Sequence, residues 1–195
     1  MKKIITMLCL IALITGVNAQ ETIPNSFWGI KFGLSFDEVK TAMLKKPGVT
    51  YAEDSERIFD DILLFNSPEF AGKDCGGIYC DFVDNKFYCG AAFLLPSSES
   101  GIFDLYNDVK ENLIKKYGDP SEHVEIFKTP YYEGDGYETQ AIKNEKATFE
   151  SFWRNGKNTI SLEITKDVEV MICYIDIYLG KVAAEKEDAK NSNDL

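Results

Sequence analysis

Apolar positions along this chain follow a helical rhythm and then an alternating one, and that change occurs twice. From Phe36, the residues Phe36, Val39, Ala42 and Met43 fall on one helical face, and Pro47-Gly48 marks the stop. Ser35-Phe36-Asp37-Glu38 forms a capping box, in which serine and glutamate each serve the other's end of the first turn. The spacing therefore predicts a helix to about residue 46, after a short strand over 27–32. Alternation follows: 62–65 reads as a strand, and 78–83 with 86–95 as a hairpin about Asp84-Asn85. Its expected inner face carries Ile78, Cys80, Phe82, Phe87, Cys89, Ala91 and Phe93.

The second cycle begins after the turn at 96–101, with a helix predicted over 102–117. Its stripe is Ile102, Leu105, Tyr106, Val109, Leu113, Ile114 and Tyr117, and Gly118 and Pro120 end it. Strands are expected at 124–128, 148–153, 159–165 and 168–179, with a hairpin signal at Asn155-Gly156 and an irregular stretch over 129–146. From Lys181 onward the chain is polar and is expected to fray. The two cycles share sequence as well as rhythm. Residues 38–48 and 108–118 are identical at five of eleven positions, so a duplicated unit is the simplest explanation.

These elements predict an α+β fold: one antiparallel sheet from two helix-plus-hairpin repeats (about 27–95 and 100–180), with the helices on one face. The single domain is expected over 20–180, with 181–195 as the polar tail. The other face is expected to be open. Alternation places Tyr79, Asp81, Tyr88, Phe152, Arg154, Glu163, Tyr174, Asp176 and Tyr178 there, an aromatic and acidic mixture suited to protein contact. A glycine-rich loop carrying Tyr131, Tyr132 and Tyr137 resembles a paratope loop and extends that expected partner surface.

Residues 1–19 read as a secretory signal: Lys2 and Lys3, an apolar run over 4–15, then the small-residue site Val17-Asn18-Ala19. Cys9 lacks the small residue that lipoprotein processing requires before it. Export to the periplasm or the medium is expected. Removing two of 21 basic residues and none of 32 acidic ones takes the formal charge from −11 to −13. That field repels phosphate backbones, so no nucleic-acid partner is expected, and no later apolar run is long enough to span a bilayer.

Cys75, Cys80, Cys89 and Cys173 remain, an even number in a chain bound for an oxidising compartment. Three full pairings are open. A two-residue turn at Asp84-Asn85 sets Cys80 opposite Cys89 at a close-approach position, which favours that bond and leaves Cys75 for Cys173. Reduced core cysteines are the alternative. The cysteine spacing lacks zinc knuckles, and the acidic run over 53–61 and Gly134-Asp135-Gly136 lack the calcium-loop ladder, so neither metal nor cofactor is expected. His123 is the single histidine, without a nucleophile motif around it, and reads as a loop histidine.

The Phe32-Gly33-Leu34-Ser35-Phe36-Asp37-Glu38-Val39 opening and the Tyr117-Gly118-Asp119-Pro120 exit, within the duplicated order, resemble the beta-lactamase inhibitor protein-like fold and the SmpA/OmlA-type envelope proteins. The resemblance implies a curved sheet that binds another protein through aromatic and acidic side chains. The expectation is an exported, non-enzymatic module binding a protein or peptide partner. The alternatives are a carboxylate-based hydrolase of a cell-envelope polymer, which needs two carboxylates in a cleft with one pKa raised, and a purely structural envelope component.

Overall fold

The computed structural model describes residues 21–52 and 61–193. The secretory-signal segment 1–19 and most of the acidic run, 53–60, lie outside the described residues.

In each half a helix is followed by four strands of the main path of the sheet, and the first half has one further short strand among them. In the first, α1 (Phe36–Met43) precedes β3 (Thr50–Tyr51), β4 (Ile62–Asn66), β6 (Lys73–Val83) and β7 (Lys86–Leu94); a small hairpin, β1 (Ser26–Phe27) and β2 (Ile30–Lys31), precedes α1, and β5 (Glu69–Phe70) pairs only with β6. In the second, α2 (Ile102–Tyr117) precedes β8 (Glu122–Phe127), β9 (Ala147–Arg154), β10 (Asn158–Ile164) and β11 (Val170–Asp176); α3 (Glu138–Lys143) interrupts and α4 (Ile177–Asn193) follows. The strand order 3-4-6-7-11-10-9-8 joins the two meanders through the last strand of each, all antiparallel. The α+β class and the repeated order match the expectation.

The duplicated sequence does the same work in both halves. Val39 and Met43 of α1, and their counterparts Val109 and Leu113 of α2, are all buried in the main core. Gly48 and Gly118 both take left-handed φ, +72° and +82°, which a side chain disfavours as the chain turns out of each helix. Ser35 caps α1 as expected: its N–H and its hydroxyl both donate to the Glu38 carboxylate, at 2.9 and 2.7 Å. Those bonds hold Glu38 below the usual carboxylate pKa. The helix itself ends at Met43, sooner than its lysines suggest.

The first hairpin departs from its predicted register. Asp84 and Asn85 form the turn with φ of +50° and +58°, and Phe82 faces Phe87 as expected, but Asp81 then faces Cys89 and Cys80 faces Gly90. Tyr88 is an inserted residue, a bulge that turns every later side chain of β7 to the opposite face. Cys89 and Ala91 therefore leave the main core, and Ala92 and Leu94 enter it. A second shift at Gly76 brings Cys75 into the main core, on the same side of the sheet as Cys80.

Three further differences concern the second half and the tail. The stretch 129–146 contains α3, whose Ala141 and Ile142 plug into the main core. The final strand stops at Asp176, and the tail expected to fray is α4. The Asp176 carboxylate accepts the Leu179 N–H at 2.9 Å, and the following run of alanine, glutamate and lysine has high helix propensity. α4 lies against β6, β7 and β11 on the face away from α1 and α2, where Gly180 sits against Ile175 and Tyr88. The face expected to be open is covered at its centre. Among the described residues no helix is long and apolar enough to cross a membrane.

Candidate functional site

A groove runs along the seam between the halves, on the face of α1 and α2. Its floor is Leu94 of β7 with Ile172 and Tyr174 of β11, strands buried because they lie at the middle of the sheet. One wall comes from the first half. In the β1–β2 hairpin Trp28 and Gly29 take φ of +49° and +80°, a tight turn that drives Phe27 inward and leaves Trp28 half-buried at the groove. Phe27 stacks on Phe70 with centroids 5.4 Å apart, and Trp28 meets the same ring edge-on at 5.2 Å. The approach is possible because residue 90 is glycine: a Cβ there would stand 2.3 Å from the Phe27 ring.

The other wall is α2 of the second half, through Val109, Leu113 and Tyr117. The enclosed volume is about 510 Å³, within the range of small-ligand pockets. Opposite charges join the two walls at the rim: Lys73 pairs with Asp108, and Glu21 with Lys116 at 3.4 Å. Lys46 stands 4.5 Å over the Trp28 ring, and burial lowers its pKa. Tyr174 is held by Phe27 at 5.8 Å, and burial, with a hydrogen bond to Tyr117, pushes its phenol well above the tyrosine range. A neutral phenol suits an apolar floor.

The predicted partner surface does not assemble as one face. Tyr79 and Tyr88 do converge on Asp81, donating to the same carboxylate oxygen at 2.8 and 2.6 Å, and burial with those bonds raises both phenols far above their ordinary pKa. Tyr174 lies on the opposite face, in the groove, because β11 alternates with Val170 and Ile172 inward. Asp176 ends β11 and caps the start of α4, and Tyr178 lies on α4, 74% exposed. Phe152 and Arg154 stay together near the β8 edge, the guanidinium 4.5 Å over the ring and paired with Glu122 at 2.7 Å.

The loop tyrosines follow β8, five strand spacings or about 24 Å from β6. Asp135 orders that loop by accepting the N–H groups of Tyr132 and Tyr137, which are 66% and 60% exposed. Tyr131 packs on the main core and accepts a bond from Asn144 at 2.8 Å.

His123 sits on β8 within a hydrogen-bond chain. Its Nε2 is 3.1 Å from Glu125, and its Nδ1 is 2.9 Å from the Ser151 hydroxyl, which also meets the Tyr106 hydroxyl at 2.8 Å. A carboxylate only accepts, so Nε2 donates to Glu125, while Nδ1 and the Ser151 hydroxyl share the second bond. The serine-histidine-glutamate grouping has the outline of a nucleophilic triad, yet Ser151 has none of its surface exposed. The chain instead satisfies buried hydroxyls and ties α2 to β9; burial raises Tyr106 to about 12.

A shallower cleft of about 470 Å³ holds Glu150 and Glu163, direct partners across β9 and β10. Burial, with Glu150 adding to it, raises the Glu163 pKa. Among the described residues no three His, Cys, Asp or Glu side chains are placed to hold a metal ion.

Among the described residues, Cys75, Cys80, Cys89 and Cys173 are not bonded to one another, and neither predicted pairing is set up. The Tyr88 bulge places Cys80 and Cys89 on opposite faces, and the sheet likewise separates Cys75 from Cys173. The groove residues Trp28, Phe70 and Tyr117 were not legible as a site. The available signal was Trp28-Gly29, an x-Gly pair flanked by apolar residues, which marks a two-residue turn. Comparison of the chain with family models, curated proteins and solved structures finds no match.

Proposed function

We propose that the chain is an exported, non-enzymatic binding module that receives hydrophobic side chains of a peptide or protein partner in the seam groove. The observation that carries this reading is the groove itself: an apolar concavity whose walls come from different halves, with aromatic rings on both sides and charge at the rim. Such sites combine an apolar anchor pocket with polar edges that set orientation. The secretory-type N-terminal sequence supports export. Random-peptide display on the purified protein tests it. Enriched peptides should carry aromatic or aliphatic anchors and lose affinity at least tenfold on Trp28→Ala, which removes a wall, and on Asn112→Trp, which fills the space. Binding indifferent to both changes overturns the assignment.

A second reading, a carboxylate hydrolase acting on a cell-envelope polymer, is favoured by the Glu150–Glu163 pair in its cleft. Product release from envelope glycan, abolished by Glu163→Gln and by Glu150→Gln, would carry it; no release from the unaltered protein excludes it.

A further inference from the structure

We infer that Cys89 and Cys173 form the protein's disulfide, a bond that clasps the two halves across their seam, while Cys75 and Cys80 stay reduced. The Sγ atoms of Cys89 and Cys173 are 3.2 Å apart, on β7 and β11 respectively. Cys89 is paired with Ile175 and Cys173 with Ala91, so the cysteines are diagonal neighbours on one face. That they share a face follows from the Tyr88 insertion, which turns Cys89 away from the main core. Closure to a bonded distance moves the sulfurs together by about 1.2 Å.

Among the described residues the other two thiols have no such partner. Cys75 and Cys80 lie on one strand, roughly 16 Å apart along it, and the sheet separates them from the first pair. The Cys75 thiol donates instead to the Gly77 carbonyl at 3.3 Å, and burial raises the pKa of both Cys75 and Cys80. Contact with Cys173, then burial, raises Cys89 as well, and Tyr79, Tyr88, Met171 and Ile175 surround the pair beneath α4. A thiolate is disfavoured there, so the bond forms while the chain folds rather than after α4 has docked.

The oxidant is a disulfide of low molecular weight or of an oxidase protein. One cysteine gives up its proton, and its thiolate attacks the reagent's disulfide, forming a mixed disulfide and releasing one reagent thiolate. The second cysteine, deprotonated in turn, attacks the mixed disulfide at the protein sulfur and expels the second. Both released thiolates take up a proton, so the protein loses two electrons and two protons and the reagent gains them.

Refolding the reduced chain in a mixture of oxidised and reduced glutathione supplies access to the pair. The product is then denatured without reductant, alkylated and mapped by mass spectrometry. The Cys89 and Cys173 peptides should be recovered as one linked pair, and Cys75 and Cys80 as alkylated singles. Alkylated Cys89 and Cys173, or linkage of either to Cys75 or Cys80, overturns the inference. Because the loop closed is long, the linked form should melt roughly 5–15 °C above the reduced form. Cys89→Ser should lose that increment and leave Cys173 alkylated; mapping of the unaltered chain decides the matter even where this variant fails to fold.

Discussion

A left-handed glycine follows each helix, at once in Gly118 and after a further turn in Gly48, yet the two exits are moored differently. Beside Gly118, the buried Trp153 of β9 donates its indole N–H to the glycine carbonyl at 2.8 Å. At Gly48 the mooring is packing and a backbone turn: a Cβ at that position would stand 2.8 Å from Pro68, and the Val49 N–H donates to the Lys46 carbonyl at 3.3 Å. The same contrast runs through the halves. β9, β10 and β11 pair in unbroken register, and α2 is tied to β9 by the Tyr106–Ser151 bond. The first half has a short helix and two bulges in one hairpin. The two halves share the helix register and a glycine exit, features set by local sequence, and differ in how the exit is attached.

The largest test of this contrast is Trp153→Ala. It removes the biggest fully buried side chain and orphans the Gly118 carbonyl, so urea unfolding should show a loss of about 3–5 kcal/mol. A loss below about 1 kcal/mol would mean that the second-half exit is held by something else. Gly48→Ala comes next. A left-handed φ combined with the Pro68 contact should cost about 1–3 kcal/mol in the same assay. Equal stability of variant and parent would erase the idea that the first-half exit depends on close packing.

The smallest effect concerns Glu163. Its pKa is raised in the fold, so the folded chain holds that proton more tightly than the unfolded chain does. The site therefore favours folding most in acid and progressively less as pH rises from the ordinary glutamate range through its raised value. Glu163→Gln should raise the denaturation midpoint at pH 7 and leave it unchanged at pH 3. The reverse pattern would contradict burial as the cause.

Local signals were readable where chemistry marks them. The Ser35 cap, the Asp84-Asn85 turn and the bounds of α2 follow from particular residues at particular spacings. The bulge was not readable, because Tyr88-Cys89-Gly90-Ala91-Ala92 contains no charged residue to show which way each side chain points. One hidden insertion then misplaced Cys89 and Phe93 and with them the expected cysteine pairing. The β11 residues Tyr174 and Asp176 were misassigned for a related reason: the strand alternates polar and apolar too weakly to separate its faces. α4 escaped notice because its charges lie all around it, and the groove escaped because its walls are distant in sequence.

The order of strands has a consequence for synthesis. β7 is interior in the finished sheet, but its neighbour β11 is the last strand of the chain, about 75 residues further on. At ribosomal speed that leaves the apolar edge of β7 without its partner for roughly 4–15 s. A newborn first half is thus a sticky template for strands of other chains, and guarding it in that interval falls to a chaperone or to speed.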